Sequence, residues 1–392
     1  MYNMALQRIL LFDTITDGHH PDYLIHLIGF YSGKKDVELY VSTGESFKSQ
    51  FNARQKAEDN PWGDNVTFLP IPTDKLNSTH SKPIYLRSII EWNLLVETAK
   101  EINASQVLLM YFDYYQLGIW IGKKAPCPVS AIYFRPNFTE NDNGIYPQIK
   151  KWMLSKVLKS GQIQNLFCLV HALVPYMKGQ KTQTQIIPIC DPVKQFQISK
   201  SETAEFKNNY KIPTDKKIFL NFGYLDDRKG MEVFIDACST LSKEALAKIC
   251  LLLAGPVPEY YEKIIEAKLA QVPELEVIRC YGYLPAREVQ ICFEISDVVL
   301  ILYQDFLNMS SVLIRAAMAN KPNFATQTGM IGELVSKNNV GITVDATSVS
   351  EVANELNAII KNGISYSEDN LKQLAEQNSL NSFLSSLDQA IR

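Results

Sequence analysis

The sequence lacks an excess of charge of either sign. Its 39 lysines and arginines stand against 42 aspartates and glutamates, which gives a formal net charge of -3 at pH 7. Binding a nucleic acid through its phosphates requires a strongly basic surface, and this composition offers no such excess. We therefore expect no nucleic acid among the partners.

The chain also lacks the patterns by which cysteine builds crosslinks and metal sites. Its seven cysteines form no Cys-x-x-Cys pair, and most lie inside apolar runs such as LFCLV and AKICLLLAG. Cysteines in such runs are typical of small buried side chains in a reducing compartment. We expect neither a disulfide nor a metal site.

Long apolar runs are absent too. No run approaches the roughly 18 residues of a membrane-spanning helix, and no basic stretch followed by an apolar one opens the chain. A cytoplasmic protein is the expectation. One segment, 146–161 (YPQIKKWMLSKVLKSG), is a predicted basic helix that could lie on the inner face of an anionic membrane through Trp152, Met153, Leu154, Val157 and Leu158. The alternative is an ordinary domain helix with a solvated lysine face.

The chain does contain a repeated alternation of short apolar strands and amphipathic helices. Strand-like runs such as RILLFDTI (8–15) and QVLLMYF (106–112) recur before residue 190, and runs such as KKIFLNFG (216–223) recur after it. Several are apolar throughout, as expected of strands buried on both faces of a parallel sheet. The pattern predicts an α/β protein with doubly wound domains.

The length of 392 residues favours two such domains. A polar stretch with a proline, 190–206 (CDPVKQFQISKSETAEF), separates the two series of strands and predicts a hinge. We place the first domain at 1–190, the second at 191–375, and a C-terminal helix that could cross back to the first domain at 376–392. Open parallel sheets bind ligands beyond the carboxyl ends of their strands, so two domains facing each other would hold a ligand in the cleft between them.

The first strand of the second half leads into a loop with adjacent cations. In FLNFGYLDDRKGMEVFIDAC (219–238), Gly223 permits a tight turn, and Arg228 and Lys229 precede Gly230, where the next helix begins. The free N–H groups of a helix N-terminus attract anions, and two cations strengthen that attraction. A diphosphate fits this pattern. A solvated turn with local ion pairs is the alternative.

A second loop-to-helix junction follows in YQDFLNMSSVLIRAAMANKPNFATQTGMIGELV (303–335). Asn308 offers an amide there, while Ser310 and Ser311 offer hydroxyls and backbone N–H groups to a polar ligand. The alternative for the two serines is a helix cap.

Together these segments resemble the carboxy-terminal half of nucleotide-sugar glycosyltransferases with the GT-B fold. The similar group is the retaining one that includes sucrose synthase and bacterial polysaccharide mannosyltransferases, glycosyltransferase family 4 or "glycosyl transferases group 1". The resemblance rests on FGYLDDRKG, on LLLAG with CYGYLPAREVQICFEISDVVLIL, and on LIRAAMANKPNFAT with GMIGELV. It covers residues 216 to about 360 well and the first half only loosely.

The resemblance implies two Rossmann-like domains facing across a cleft, and transfer of a sugar from a nucleoside-diphosphate sugar to a hydroxyl acceptor with retention of anomeric configuration. Lys229 and Arg228 would be catalytic, because family members stabilise the departing diphosphate with cations instead of a metal. No cofactor is expected. The implied partners are the nucleotide sugar and a small-molecule, glycan or lipid-linked acceptor. The donor-contacting positions are Gly18, Gly223, Tyr224, Tyr283, Leu284, Asn308, Met309, Ser310, Ser311 and Arg315.

Three positions depart from the family's pattern. Asn308 and Arg315 stand where the family often has two glutamates, one touching the sugar and one the ribose, and Tyr224 replaces an arginine. An amide can still bond a sugar hydroxyl, whereas a guanidinium cannot accept a hydrogen bond from ribose. The alternative function is therefore a nucleotide-sugar-binding protein without catalysis, such as a regulatory subunit.

The first half offers candidate acceptor-side residues after three strands, in 12–27 (FDTITDGHHPDYLIHL), 110–120 (MYFDYYQLGIW) and 132–138 (IYFRPNF). Aromatic faces suit sugar rings, and a carboxylate can orient a nucleophilic hydroxyl. An aromatic core with one partnered arginine is the alternative. We predict His19 and Asp113 as catalytic residues, and as acceptor contacts His20, Tyr114 and Arg135.

Overall fold

The computed structural model describes residues 6–16, 20–49, 51, 63–134, 138, 144–180 (the Ala172 side chain excepted), 182–190, 192–306 and 309–391. The chain divides into two compact units. Met1–Asp191 and Leu380–Arg392 make up the first unit, and Pro192–Ser379 makes up the second.

A seven-stranded sheet forms the centre of the first unit, with every neighbouring pair of strands parallel. The strand order is β3-β2-β1-β4-β5-β6-β7, so the direction of winding reverses between β1 and β4. Side chains just beyond those two strands therefore meet at a topological switch point. The strands are β1 Gln7–Phe12, β2 Val37–Gly44, β3 Val66–Ile71, β4 Gln106–Leu109, β5 Val129–Tyr133, β6 Asn165–Cys168 and β7 Gln185–Pro188.

Helices cover both faces of this sheet, because β1 sends Ile9 and Leu11 into one apolar cluster and Leu10 and Phe12 into another. The helices are α1 His20–Tyr31, α2 Thr73–His80, α3 Ile84–Glu101, α4 Gln116–Ile121, α5 Ile145–Lys159 and α6 Val174–Lys178. A short 3₁₀ turn spans His171–Leu173.

A six-stranded sheet with the order β10-β9-β8-β11-β12-β13 forms the centre of the second unit, again with all pairs parallel. Its switch point lies between β8 and β11. The strands are β8 Lys217–Phe222, β9 Ile249–Gly255, β10 Glu276–Tyr281, β11 Val298–Ile301, β12 Asn323–Thr326 and β13 Gly341–Val344.

The helices of the second unit also pack on both faces of their sheet, in two apolar clusters. They are α7 Lys200–Tyr210, α8 Met231–Ser239, α9 Lys243–Leu246, α10 Glu259–Leu269, α11 Ala286–Ile295, α12 Ser311–Met318, α13 Gly329–Lys337, α14 Val349–Asn362 and α15 Glu368–Gln377. A 3₁₀ turn at Asp227–Lys229 precedes α8.

The last helix, α16 (Leu380–Ile391), is part of the first unit although it follows the second in the chain. Its apolar stripe packs in the same cluster as α1, with Phe383 and Leu387 fully buried. The Asn165 side-chain amide donates to the backbone oxygen of Ala390 at 2.8 Å. The C-terminal segment is thus anchored by apolar burial and a hydrogen bond to β6.

The predicted hinge over 190–206 is wrong in its second half. Helix α7 begins at Lys200, because Ser199 and Glu202 form a capping box that satisfies free N–H groups at the helix start. The polar residues that suggested a linker are thus partly the solvent-facing residues of a helix.

All seven cysteines are free. Across the described ranges, no group of three or more histidine, cysteine, aspartate or glutamate side chains is placed to hold a metal ion. None of the helices in those ranges combines the length and apolarity that crossing a bilayer requires.

Candidate functional site

The most unusual side chain at the switch point of the second unit is Lys229, whose residue surface is only 4% exposed. Its Nζ donates to the backbone oxygen of Phe222, at the end of β8, at 2.9 Å. It also donates to the hydroxyl of Tyr303, in the loop after β11, at 2.6 Å. The amine is therefore held between the ends of the two strands at which the winding reverses.

Burial, and to a smaller extent the positive charge of Arg228, lower the pKa of Lys229 to about 7, while Asp226 acts in the opposite direction. An amine with a pKa near neutrality can change its charge with little free energy. An anion arriving beside Nζ would favour the ammonium form. Lys229 thus has the properties of a group that becomes fully charged when a ligand binds.

Two glycines make this position of the lysine possible. Gly223 has φ +119°, and a Cβ there would lie 2.8 Å from the Lys229 Nζ. Gly230 has φ +70°, and a Cβ there would collide with the backbone oxygen of Leu302. Both backbone conformations favour glycine. The backbone oxygen of Leu302 also excludes a larger residue at position 230, whereas a Cβ at position 223 would displace the end of the Lys229 side chain. The glycines therefore shape the space around the amine.

Arg228 lies beside the same aromatic group but is more exposed. Its guanidinium carbon is 5.6 Å from the ring centre of Tyr303 and 5.1 Å from that of Phe306. Its Nε is 3.8 Å from the Asp226 carboxylate, and its side chain is 39% exposed. Both predicted cations therefore contact Tyr303.

Ser310 extends this polar cluster to α12. It is the N-cap of that helix, where its Oγ accepts from the Val312 N–H at 3.3 Å. The same oxygen lies 3.2 Å from the Tyr303 hydroxyl. Ser310 therefore acts as a cap, the alternative that the sequence left open, and also belongs to the cluster. We refer to Lys229, Arg228, Tyr303 and Ser310 as the cation cluster.

The other donor-side candidates in the second unit differ in burial. Arg315 places its guanidinium carbon 6.0 Å from the ring centre of Phe222, so it lies near the end of β8. The side chains of Tyr224 and Tyr283 are exposed, whereas Leu284 is buried in the core. Ser311 is the first residue of α12, and Met309 packs partly buried against the core.

Four predicted site residues lie outside the described residues, so their roles remain predictions. They are Gly18, His19, Arg135 and Asn308.

In the first unit, a buried histidine and aspartate pair follows β1. The Nδ1 of His20 is 2.8 Å from the carboxylate of Asp13, and both side chains are almost inaccessible. The ring of His20 also lies 4.6 Å from that of Tyr111. The carboxylate orients the imidazole, the arrangement by which proteins set which ring nitrogen carries a proton. Sequence reasoning missed Asp13, although it is the first residue after β1.

Beside this pair lies a buried network around Glu91, whose surface is 1% exposed. Its carboxylate accepts from the Thr14 hydroxyl at 2.9 Å and from the Arg87 Nε at 2.7 Å, and it lies 3.1 Å from the His80 Nε2. Arg87 in turn donates to the hydroxyl of Tyr114 at 2.9 Å. Glu91 therefore holds the arginine that positions Tyr114, a predicted acceptor contact.

The network predicts a measurable loss of stability for Glu91→Gln. The amide keeps the size of the side chain but removes the charge that compensates half-buried Arg87, so we expect a loss of about 1–3 kcal/mol in the free energy of unfolding. Urea unfolding monitored by circular dichroism measures it. The matched control is Glu97→Gln, on the same helix α3 but at an exposed ion pair with Lys123, which should cost less than about 1 kcal/mol. Equal losses for both variants would contradict the prediction.

Asp113 follows β4 and is also buried. Its carboxylate accepts from the backbone N–H of Phe134, at the end of β5, at 3.0 Å. The residue therefore fixes the ends of two neighbouring strands relative to each other, besides the acceptor role that the sequence predicts.

The cation cluster lies in a part of the chain that resembles a known protein family. Residues 202–378 match the family model of the glycosyl transferases group 1. These residues are therefore similar to the glycosyl transferases group 1. The resemblance that the motifs suggested is confirmed, and Lys229, Tyr303 and Ser310 all lie inside the matched residues.

Solved structures extend the similarity to the whole chain. HepE of Anabaena, solved in complex with UDP and glucose, has a TM-score of 0.64 at 14% identity, and 98% of each chain is covered. A glycosyltransferase from Rickettsia africae has a TM-score of 0.68 at 14% identity, covering 99% of this chain and 98% of that one. Sucrose-phosphate synthase from Thermosynechococcus elongatus has a TM-score of 0.63 at 14% identity, with 98% of both covered. The chain has the GT-B fold, as predicted. No curated protein matches it in sequence.

Within the matched residues, sequence reasoning missed Tyr303. A signal was present, because Tyr303 directly follows the apolar run of β11, and polar residues at that place face the ligand side of a parallel sheet. Its burial raises the pKa of the hydroxyl to about 12, so the group stays protonated and can donate as well as accept. Tyr303 connects the amine of Lys229 to the cap of α12.

Proposed function

We propose that the chain transfers a hexose from a nucleoside-diphosphate sugar to a hydroxyl acceptor, with retention of anomeric configuration. The observation that supports this proposal is the buried amine of Lys229 at the switch point of a group 1 glycosyltransferase domain. HepE, with the same fold, was solved with UDP and glucose, which favours a donor of this class. Retention follows from the resemblance to the retaining group.

The cation cluster provides the electrostatics that such a transfer needs. When the bond between the anomeric carbon and the diphosphate breaks, negative charge grows on the leaving phosphate. A buried ammonium and a neighbouring guanidinium stabilise that charge strongly, because little water screens them. In this proposal Lys229 and Arg228 hold the diphosphate, and Ser310 and Ser311 contact the donor sugar or phosphate. The cations take the place of a metal ion, and no cofactor takes part.

On the acceptor side we propose roles for the residues around β1, β4 and β5. His19 and Asp113 would arrange the acceptor hydroxyl, and His20, Tyr114 and Arg135 would contact the acceptor. The pair of His20 with Asp13 and the bond from Arg87 to Tyr114 support this assignment, because side chains fixed in this way are preorganised. The acceptor is a small molecule, a glycan or a lipid-linked hydroxyl.

A second candidate function is binding of a nucleotide sugar without catalysis. The observation that favours it is Arg315, whose guanidinium lies near Phe222 at a position where related enzymes often carry a glutamate. An arginine cannot accept hydrogen bonds from ribose, so the nucleotide would be recognised differently.

Incubation with a panel of uridine, guanosine and adenosine diphosphate sugars separates the two functions. A transferase should release the nucleoside diphosphate, slowly by hydrolysis when no acceptor is present and faster when one is added. Coupled detection of the released diphosphate measures the rate, and NMR of the product reports the anomeric configuration. Binding in a thermal-shift assay without any release would support the non-catalytic alternative.

A further inference from the structure

Helix α5 buries three of the five side chains that the sequence offered as a membrane contact. Leu154, Val157 and Leu158 are fully buried in the apolar cluster of the first unit. The prediction that these residues could contact a membrane is therefore wrong, because they pack on the sheet and its neighbours. Any surface contact must use the opposite side of the helix.

That opposite side is apolar as well. Ile145 is 84% exposed, Ile149 51% and Trp152 48%, and their spacing of four and then three residues places them on one stripe of α5. The end of α4 continues the stripe with Trp120 and Ile121, which are 37% and 54% exposed. We call these five residues the tryptophan surface.

The tryptophan surface is continuous across the two helices. The rings of Trp120 and Trp152 meet edge to face, with their centres 5.1 Å apart. The Nζ of Lys156 lies 5.8 Å from the first ring centre and 5.6 Å from the second. Contiguous apolar side chains with a cation at their rim are uncommon on a surface that faces only water.

The charged side chains of helix α5 all have one sign. Helix α5 contains four lysines and no aspartate or glutamate. In the part of the chain that the structure describes, no ion pair involves Lys150, Lys156 or Lys159. Among the described residues, no carboxylate pairs with these cations, and they are available to an anionic partner.

We propose that the tryptophan surface binds the interfacial layer of an anionic lipid membrane. Tryptophan favours the level of the lipid headgroups, isoleucine side chains enter the boundary of the acyl chains, and lysines reach the phosphates with their flexible stems. A second copy of the chain is a poorer partner, because a two-fold contact would bring the lysines of both copies together.

Vesicle sedimentation tests this proposal on the full chain. The protein should bind vesicles of phosphatidylcholine with phosphatidylglycerol and bind pure phosphatidylcholine vesicles much more weakly. Ile149→Gln with Trp152→Ser should weaken binding by on the order of tenfold to a hundredfold, because both side chains lose apolar burial. Lys156→Gln with Lys159→Gln should weaken it roughly tenfold or more, and added salt should do the same.

The matched control is Tyr260→Ser with Ile264→Gln, an exposed aromatic and aliphatic pair one helical turn apart on α10 of the second unit. Tyr260 is 59% exposed and Ile264 40%, but α10 carries Glu259, Glu262 and Glu266 around them. This variant should bind vesicles like the parent chain.

Vesicle binding needs no sugar donor, so it can be measured whether or not the transferase proposal holds. Equal binding of all variants, or absence of binding to anionic vesicles, would overturn the membrane assignment. A second result would also overturn it. If sedimentation equilibrium shows that the parent chain is a dimer and that Trp152→Ser is a monomer, the surface binds a second copy of the chain. Quenching of tryptophan fluorescence by brominated lipids should accompany binding and should decrease in Trp152→Phe.

Discussion

Lys229→Met should lower sugar transfer by about 2–4 kcal/mol in activation free energy, roughly 30- to 1,000-fold in rate. Methionine keeps a linear, buried side chain of similar length but removes the ammonium that we propose faces the leaving diphosphate. The diphosphate then loses a charge-assisted contact in a site from which water is largely excluded. Release of nucleoside diphosphate at saturating donor and acceptor measures the effect.

The same substitution should leave the fold intact or stabilise it, and this separates a functional lysine from a structural one. The pKa of Lys229 is about 7 in the folded chain, well below the ordinary value of about 10.4. Between these values the unfolded chain binds the extra proton, so this group makes stability rise with pH from about 7 to about 10.4. Below about pH 7 the buried amine destabilises the native state by on the order of 3–5 kcal/mol.

Methionine removes this penalty and also the hydrogen bonds to Phe222 and Tyr303, which offsets part of the gain. We therefore expect a melting temperature at pH 6–7 that is unchanged or higher, with any gain fading toward pH 10. Lys263→Met, at an exposed pair with Glu259 on α10, should alter neither turnover nor melting. Full turnover in a folded Lys229→Met protein would remove the proposed role of this residue.

Much of the fold could be predicted because each strand is recognisable from its own short stretch of sequence. Runs such as that of β9 (Ile249–Gly255) are apolar at every position, as burial on both faces of a parallel sheet requires. The capping box at the start of α7 also has a local signal, but it was hidden by the polar composition that resembles a linker. The outer stripe of α5 was missed for a different reason. That helix is apolar on two sides, and only packing shows which side faces the core.

The residues of the candidate site that lie in a local motif could be predicted from the sequence. The contacts between residues far apart in the chain could not. Lys229 and Ser310 come from loop-to-helix patterns. Their connection through Tyr303 joins residues 74 positions apart, and no spacing rule reports such a contact. Glu91 contacts Thr14 from 77 positions away for the same reason. Long-range polar contacts are determined by strand order, which the sequence does not display.

The affinity for a nucleoside diphosphate should depend steeply on pH above neutrality. Free Lys229 has a pKa of about 7, and a bound diphosphate favours the ammonium, so its pKa rises on binding. Below about pH 7 the lysine is charged in both the free and the bound protein, so it does not make the affinity depend on pH. Above that value binding must take up a proton, and the affinity should fall by up to about tenfold per pH unit until the pKa of the complex is reached.

Isothermal titration with whichever of uridine, guanosine or adenosine diphosphate binds, at pH 7, 8 and 9, measures this dependence. At pH 8 the binding enthalpies observed in two buffers should differ by nearly the difference between the ionisation enthalpies of the buffers, because binding takes up nearly one proton. Lys229→Met should bind more weakly at pH 7 and lose both the slope and the proton uptake, because the ligand's own phosphates are almost fully ionised over this range. A slope that persists in the variant would assign the titration to another group and leave Lys229 without contact to the diphosphate.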